Sequence, residues 1–258
     1  MWTNTRMLTR AILLIVVSAG LYIPLMAGNL LIRKSTDLRE AWQARMLQIW
    51  SKAVCIIIGL RADIIGKPPP GTGLFVSNHL SYVDIVLIAS QMPVAFVAKR
   101  EISNWPVVGH LTRMTGTVFV DRRRHRSLVG ANDVINERLS AGRPVVLFAE
   151  GTSTEGETVE PFRPSLLKIA SDFGHPVNYG FLAYQITDDE AGRQLTRDRV
   201  CWYGDDEFFN HIVNLLRLKG FRARLVFGDS PVVAHERKSL ANQLHKAVLQ
   251  QASKYSWS

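Results

Sequence analysis

The chain has 258 residues, of which 47% are hydrophobic, so it is long enough to bury one full core. Its 31 Lys and Arg residues exceed its 22 Asp and Glu residues, and the net charge of +9 favours anionic partners such as nucleic acid, an acidic membrane surface or phosphorylated substrates. The two cysteines, Cys55 and Cys201, are isolated from each other and exclude a disulfide framework or a Cys/His zinc cluster as the basis of the fold.

The N-terminal region contains a long apolar segment. Ala11 to Ile32 form a run of 22 residues without a charge, with basic residues on both sides. At ~1.5 Å per residue, a helix of this length can cross a hydrocarbon core ~30 Å thick. A cleaved signal peptide is the alternative, but its apolar region is usually only ~7–15 residues long. We expect a retained membrane-inserting helix, in which Pro24 and Asn29 leave spanning and monotopic arrangements open.

A second helix is predicted directly after this segment. Trp42, Met46, Ile49, Trp50 and Ala53 recur at spacings of three and four, which is typical of the apolar face of an amphipathic helix. Such a face either packs on a core or lies at the membrane interface, where tryptophan is favoured.

The stretch KPPPGTG, beginning at Lys67, predicts a boundary between a membrane anchor with its interfacial helix over 1–66 and a second domain over 67–258. Beyond it, helical patterns such as SLVGANDVINERLS, SLLKIASDF and EFFNHIVNLLRL alternate with short β-branched or aromatic runs. The runs are LFVS, VAFVAK, TVFVD, PVVLFAE, VNYGFLAY and ARLVFG. This alternation predicts an α/β fold with a mostly parallel sheet flanked by helices, preceded by the membrane-inserting and amphipathic helices.

The stretch SNHLSYVD places His79 five residues before Asp84. One interpretation is structural: Ser81 caps a helix and Asp84 completes a capping box. The other is catalytic: His79 is a general base, and Asp84 accepts the second ring N–H and stabilises the imidazolium. Both fit one structure, because a Ser81 cap would leave His79 in the loop before the helix.

Three blocks in a fixed order carry a family resemblance. NHLSYVD (78–84), GTVFVDR (116–122) and FAEGTST (148–154) resemble the motifs of glycerolipid acyltransferases of the 1-acylglycerol-3-phosphate (lysophosphatidate) type. The similarity extends over roughly Gly71 to Arg163. The later stretch CWYGDDEFFNHIVNLLRLKGFRARLVFGD (201–229) resembles bacterial members linked to either phosphatidate or ornithine-lipid synthesis and does not decide the acceptor.

The resemblance implies transfer of a fatty acyl group to a lysolipid hydroxyl, converting 1-acylglycerol-3-phosphate to phosphatidate, with lyso-ornithine lipid as the alternative acceptor. His79 would deprotonate this hydroxyl, which attacks an acyl thioester, while Asp84 holds the imidazole. The resemblance also implies acceptor-binding residues, which are Asn78, Arg122, Glu150, Gly151 and Thr152. The acyl donor would be acyl-CoA or acyl carrier protein, with no bound cofactor, no metal and no nucleic-acid partner. The enzyme would belong to the inner membrane, with its catalytic domain on the cytoplasmic side.

Two residues depart from the family pattern. Ala149 stands in place of the usual proline, and Ser153 stands where the family commonly has an arginine that contacts phosphate. Loss of that guanidinium removes a strong charge-assisted interaction with a phosphomonoester. Either Arg122 or Arg163 compensates, or the acceptor is a lysolipid without phosphate, such as lyso-ornithine lipid. A non-catalytic lipid-binding protein and a thioesterase remain rival functions.

Overall fold

The computed structural model of the chain describes residues 2–71, 73–120, 125–186 and 192–257. The strands are β1 (Leu60–Ile65), β2 (Leu74–Ser77), β3 (Ala95–Lys99), β4 (Val118–Val120), β5 (Val145–Phe148), β6 (Val177–Gln185) and β7 (Phe221–Phe227). The α-helices are α1 (Trp2–Leu31), α2 (Thr36–Ile58), α3 (Val83–Gln91), α4 (Val108–Met114), α5 (His125–Ser140), α6 (Lys168–Phe173), α7 (Gly192–Arg199), α8 (Phe208–Arg217) and α9 (Arg237–Tyr255). Two 3₁₀ helices span Arg100–Asn104 and Pro164–Leu166.

The seven strands form one sheet in the order β1-β7-β6-β2-β5-β3-β4. Neighbouring strands are parallel except for β6 and β7, which are antiparallel. The predicted α/β class and all six predicted strands are confirmed. Strand β1 was not predicted, because it lies at the edge of the sheet and the charged Arg61 and Asp63 interrupt any apolar run in its sequence LRADII.

Helices cover both faces of the sheet, so two apolar clusters form. On one face, α2, α3 and α8 pack against strand residues that include Phe75, Phe148 and Leu225. On the other face, α5, α6 and α9 pack against residues that include Leu74 and Leu147. Strands β2 and β5 are buried along their whole length, and their short apolar sequences reflect this burial on both faces.

Helix α2 buries a different face from the one that the sequence predicts. Met46 is buried as expected, but Ile49 is 39% exposed, and the polar Gln43 and Gln48 are buried. The Gln43 amide donates to Asn29 Oδ1 at 3.0 Å, and Gln48 Oε1 accepts from Arg45 Nη1 at 2.6 Å. Hydrogen bonds therefore offset the cost of burying these amides, which apolar periodicity cannot predict.

Helix α2 leads directly into the sheet. It ends at Gly59, which adopts the left-handed conformation with φ 76°, and β1 begins at the next residue. Strand β1 pairs with β7, so the sheet already includes residues before the predicted boundary at Lys67. The division of the chain at that residue therefore stays a prediction about membrane attachment and does not mark where the sheet begins.

Helix α1 is held along its length by the rest of the protein. Residues Thr3–Leu31 are long and apolar enough to cross a membrane. Near its start, Arg10 Nη1 donates to the carbonyl oxygen of Leu218 at 2.7 Å, just after α8. Near its end, Asn29 Nδ2 donates to the carbonyl oxygen of Met114 at 3.1 Å, in α4. Its outer side still exposes large apolar residues such as Ile15 and Ile23.

Candidate active site

The site forms where two central parallel strands end. Strand β2 ends at Ser77 and leads into His79, and its neighbour β5 ends at Phe148 and leads into Glu150. The carboxyl ends of parallel strands meet at one edge of a sheet, so the first and third sequence blocks lie side by side.

Asn78 anchors the end of β2 to β6. Its Nδ2 donates to the carbonyl oxygen of Leu182 at 2.9 Å, and its Oδ1 accepts from the Leu182 N–H at 2.7 Å. The side chain is buried, and both of its polar atoms are engaged by backbone. This placement favours a structural role, while the acceptor-binding role expected for Asn78 stays a prediction.

His79 and Asp84 form a hydrogen-bonded pair, as the catalytic interpretation requires. The distance between His79 Nδ1 and Asp84 Oδ2 is 2.7 Å. With the Nδ1 proton donated to the carboxylate, Nε2 is left as the basic nitrogen, and it has no hydrogen-bond partner among the described residues. The imidazole stacks on Phe148 with ring centroids 3.8 Å apart, and its side chain stays 19% exposed. The ring is thus fixed in orientation and accessible to a substrate.

The predicted Ser81 cap is wrong. Helix α3 starts after Tyr82, and the Ser81 hydroxyl is buried without a hydrogen-bond partner. Asp84 instead holds the loop before the helix: its Oδ2 accepts the backbone N–H of Leu80 at 2.7 Å and that of Ser81 at 3.0 Å. No side chain among the described residues caps α3, and the Asp84 carboxylate in its first turn binds both the loop backbone and the histidine ring.

Tyr184 is a member of the site that the sequence analysis missed. It lies on β6, one hundred residues after Asp84, and its hydroxyl donates to Asp84 Oδ1 at 2.6 Å. Burial and the adjacent carboxylate raise the pKa of Tyr184 well above its ordinary value, so the hydroxyl stays a donor. In the sequence, Tyr184 shows only as one aromatic residue of a predicted strand.

Glu150 lies behind the His79 loop. One carboxylate oxygen accepts the His79 backbone N–H at 3.0 Å, and the other accepts the Glu160 N–H at 3.1 Å. Burial raises the pKa of Glu150 to about 8, against the opposing effect of these two N–H donors. Its contacts favour a positioning role, and the acceptor contact expected for this residue stays a prediction.

A cavity of about 1190 Å³ begins at His79 and is walled largely by apolar residues of α1, α2, α3 and α4. Gly151, Thr152, Ser153 and Arg163 line the same cavity, so two of the predicted acceptor-binding residues share it with His79. Gly151 has φ 80°, a conformation that disfavours a side chain. The predicted Arg122 lies outside the described residues. Within the described ranges, no group of three or more His, Cys, Asp or Glu residues could hold a metal ion.

Comparisons with known proteins identify the family. The family model described as Acyltransferase matches residues 66–178, which contain all three sequence blocks. A lyso-ornithine lipid O-acyltransferase from Brucella abortus (strain 2308) is 34% identical over 228 residues, covering 83% of this chain and 85% of the relative. The chain belongs to the acyltransferase family.

Two further relatives of this acyltransferase agree with the predicted family. A 1-acyl-sn-glycerol-3-phosphate acyltransferase from Neisseria meningitidis serogroup B (strain ATCC BAA-335 / MC58) is 29% identical over 191 residues, with 74% of this chain and 73% of the relative covered. The crystal structure of the 1-acyl-sn-glycerophosphate (LPA) acyltransferase PlsC from Thermotoga maritima superimposes with a TM-score of 0.65 at 21% identity, covering 99% of each chain. This likeness confirms the fold.

We expect Tyr184→Phe to lower kcat/KM by about tenfold, since a buried hydrogen bond to a charged group contributes on the order of 1.5–3 kcal/mol. Without the hydroxyl, the Asp84 carboxylate is less stabilised and holds the protonated imidazole more tightly. The acid limb of the kcat/KM profile should therefore move to higher pH. Tyr179→Phe, on the same strand, is the matched control. An acid limb at the same pH as in wild type would contradict a positioning role for Tyr184.

Glu150 should make stability depend on pH. The folded chain keeps the Glu150 proton up to about pH 8, whereas an unperturbed carboxyl loses it near 4.5. The resulting contribution to the free energy of unfolding is complete at low pH and decreases as the pH rises from about 4.5 to about 8. We expect Glu150→Gln, which has no proton to release, to show a shallower decrease of Tm between these pH values. Parallel Tm curves for the two proteins would refute this.

Proposed function

We propose that this acyltransferase transfers a fatty acyl group from a thioester to a lysolipid hydroxyl, and that lyso-ornithine lipid is the acceptor. The supporting observation is Ser153, which lines the cavity beside His79 at the position of the family's phosphate-contacting arginine. An ornithine headgroup carries a carboxylate and an ammonium group but no phosphate, so it does not need that guanidinium. The Brucella relative named above is described as an enzyme of this specificity. Acylation of 1-acylglycerol-3-phosphate is the second candidate.

The proposed reaction uses the protein's own groups and no bound cofactor. His79 Nε2 takes the proton of the acceptor hydroxyl as its oxygen attacks the thioester carbonyl carbon. A C–O bond forms, the C–S bond breaks, and the imidazolium returns its proton to the leaving thiolate. Asp84 stabilises the imidazolium through the 2.7 Å contact with Nδ1. The donor is acyl-CoA or acyl carrier protein, and the apolar cavity accommodates acyl chains.

Arg163 is the proposed contact for the acceptor carboxylate. Its backbone N–H donates to the carbonyl oxygen of Ala149 at 2.8 Å, which fixes its position beside the third sequence block. Its side chain lines the cavity, and the guanidinium has no partner among the described residues. A guanidinium can hold a carboxylate through two parallel hydrogen bonds.

We further propose that the enzyme attaches to the inner membrane from its cytoplasmic side without spanning it. Arg10 and Asn29, near opposite ends of α1, bind the same α/β body, although a straight helix of 30 residues extends ~45 Å. A spanning helix would have to release one of these contacts. In this proposal the excess positive charge binds lipid headgroups and the phosphates of the acyl donor, and it does not bind nucleic acid.

The acceptor is tested by thiol release and by mass spectrometry of the lipid product. Wild type should acylate lyso-ornithine lipid in preference to 1-acylglycerol-3-phosphate, and His79→Ala should abolish transfer. Arg163→Ala should raise KM for lyso-ornithine lipid about tenfold, while Arg163→Lys should recover part of the loss. Arg237→Ala, on α9, controls for the loss of a surface charge.

The rivals give different results in the same assay. Thiol release without an acceptor would show a thioesterase. No turnover by wild type with any donor or acceptor would favour a lipid-binding protein, and preference for 1-acylglycerol-3-phosphate would overturn the acceptor assignment.

The proposed attachment predicts that the start of α1 and the α/β body are reached from the same side of the membrane. Thr3→Cys and Asp229→Cys should both react with an impermeant maleimide in inverted vesicles and stay unreacted in intact spheroplasts. The native Cys55 and Cys201 are buried and provide the background control. Labelling of the two positions from opposite sides would show that α1 spans the membrane.

A further inference from the structure

A second cavity, of about 750 Å³, lies away from His79 at the junction of α1, α2, α4 and α5. Its wall includes Asn29 near the end of α1, Gln43 of α2, and Gly116 and Thr117 between α4 and β4. Among the residues that line the two cavities, Thr117 is the one that they share. A Cβ built on Gly130 in α5 meets no atom within 4 Å, so that wall faces open space.

The charged side chains that line this second cavity are mostly cationic. Arg39, Arg113 and Arg138 face a single carboxylate, that of Glu40. Glu40 is already shared: its oxygens lie 3.3 Å from Arg138 Nη2 and 2.8 Å from Arg143 Nε. One acidic group therefore cannot neutralise the three arginines of the cavity, and the site favours an anion.

Arg138 contributes positive charge to the cavity wall, and Arg39 and Arg113 contribute donors. Arg138 is 8% exposed, its Nη1 donates to the carbonyl oxygen of Gly116 at 2.8 Å, and its Nη2 lies 3.3 Å from Glu40. Burial lowers the pKa of Arg138, which reflects the cost of holding this cation away from water. Arg39 and Arg113 contact only backbone carbonyl oxygens, of Arg33 and Ser103, within the described ranges. An oxyanion with several acceptor oxygens fits these donors.

The position of the cavity indicates where the anion comes from. Beside it, the end of α1 and the start of α2 expose apolar side chains, with Leu31 83% exposed and Leu38 59% exposed. Arg33 and Lys34 follow the apolar segment directly. Apolar residues next to cations are typical of a surface that meets lipid tails and headgroups together.

We propose that the cavity between α1, α2, α4 and α5 binds the phosphate of an anionic membrane phospholipid, at a site separate from the catalytic one. A bound headgroup would join the end of α1 to α4 and α5 through Arg39, Arg113 and Arg138. This inference extends the proposed membrane attachment, in which α1 lies against the lipid, and it is independent of the acceptor.

The test compares binding of the purified full chain to vesicles of phosphatidylcholine alone and of phosphatidylcholine with 30 mol% phosphatidylglycerol. Wild type should bind the anionic vesicles more tightly, and Arg39→Ala/Arg113→Ala should lose about tenfold of that gain, in line with the contribution of basic residues at an anionic surface. Arg237→Ala/Lys246→Ala removes two exposed cations from α9 and should keep the gain. Arg39→Lys/Arg113→Lys should retain most of it.

Two kinds of result would overturn the proposed headgroup site. A full gain in Arg39→Ala/Arg113→Ala, or an equal loss in the α9 control, would show that no specific site exists. Displacement of wild type from anionic vesicles by millimolar inorganic phosphate or coenzyme A, with no effect on the arginine variant, would assign the site to a soluble phosphate. Phosphatidylcholine vesicles carry no net charge, so binding to them tests the attachment through α1 alone. If every variant still binds these vesicles, a loss of binding to anionic vesicles can be assigned to the headgroup site and not to the membrane attachment.

Discussion

The buried carboxylate of Asp84 is the constraint on which the catalytic end of the structure depends. A carboxylate with no exposed surface must be compensated by hydrogen bonds, because burial of an isolated charge costs several kcal/mol. Asp84 receives four donors: two backbone N–H groups of the preceding loop, the His79 ring and the Tyr184 hydroxyl. The same requirement fixes the start of α3, the orientation of the imidazole and the position of β6.

A second buried carboxyl group, that of Glu150, completes this arrangement. Glu150 accepts the His79 N–H, and the carbonyl oxygen of His79 accepts the Thr154 N–H at 2.9 Å. The backbone of the base is therefore held by the third sequence block, and its ring is held by the first. The first and third blocks therefore depend on each other although about seventy residues separate them. Glu150 has a role in this arrangement that does not require it to touch the substrate.

Local pattern was enough to predict the sheet, and together with the family resemblance it predicted the central pair. Strands β2 and β5 are buried on both faces, so their sequences are short apolar runs, and His79 and Asp84 lie within one loop and the helix turn after it. The remaining contacts depend on the tertiary fold. Tyr184 reaches Asp84 only because β6 lies beside β2. The buried face of α2 includes Gln43 because Asn29 of α1 accepts a hydrogen bond from it. The spacing of apolar residues in α2 contains no information about this partner.

The catalytic cavity takes a large part of its wall from α1 and α2, including Leu14, Leu21, Met46 and Trp50. The two N-terminal helices are thus also part of this cavity. A truncated chain without them would expose the cavity and lose its shape, so it is not a soluble equivalent of the enzyme. An alkyl detergent tail is chemically close to a fatty acyl chain, so we expect detergents that extract the protein to compete for this cavity. Activity measured in detergent would then depend on the length of the detergent tail as well as on the concentration of the substrate.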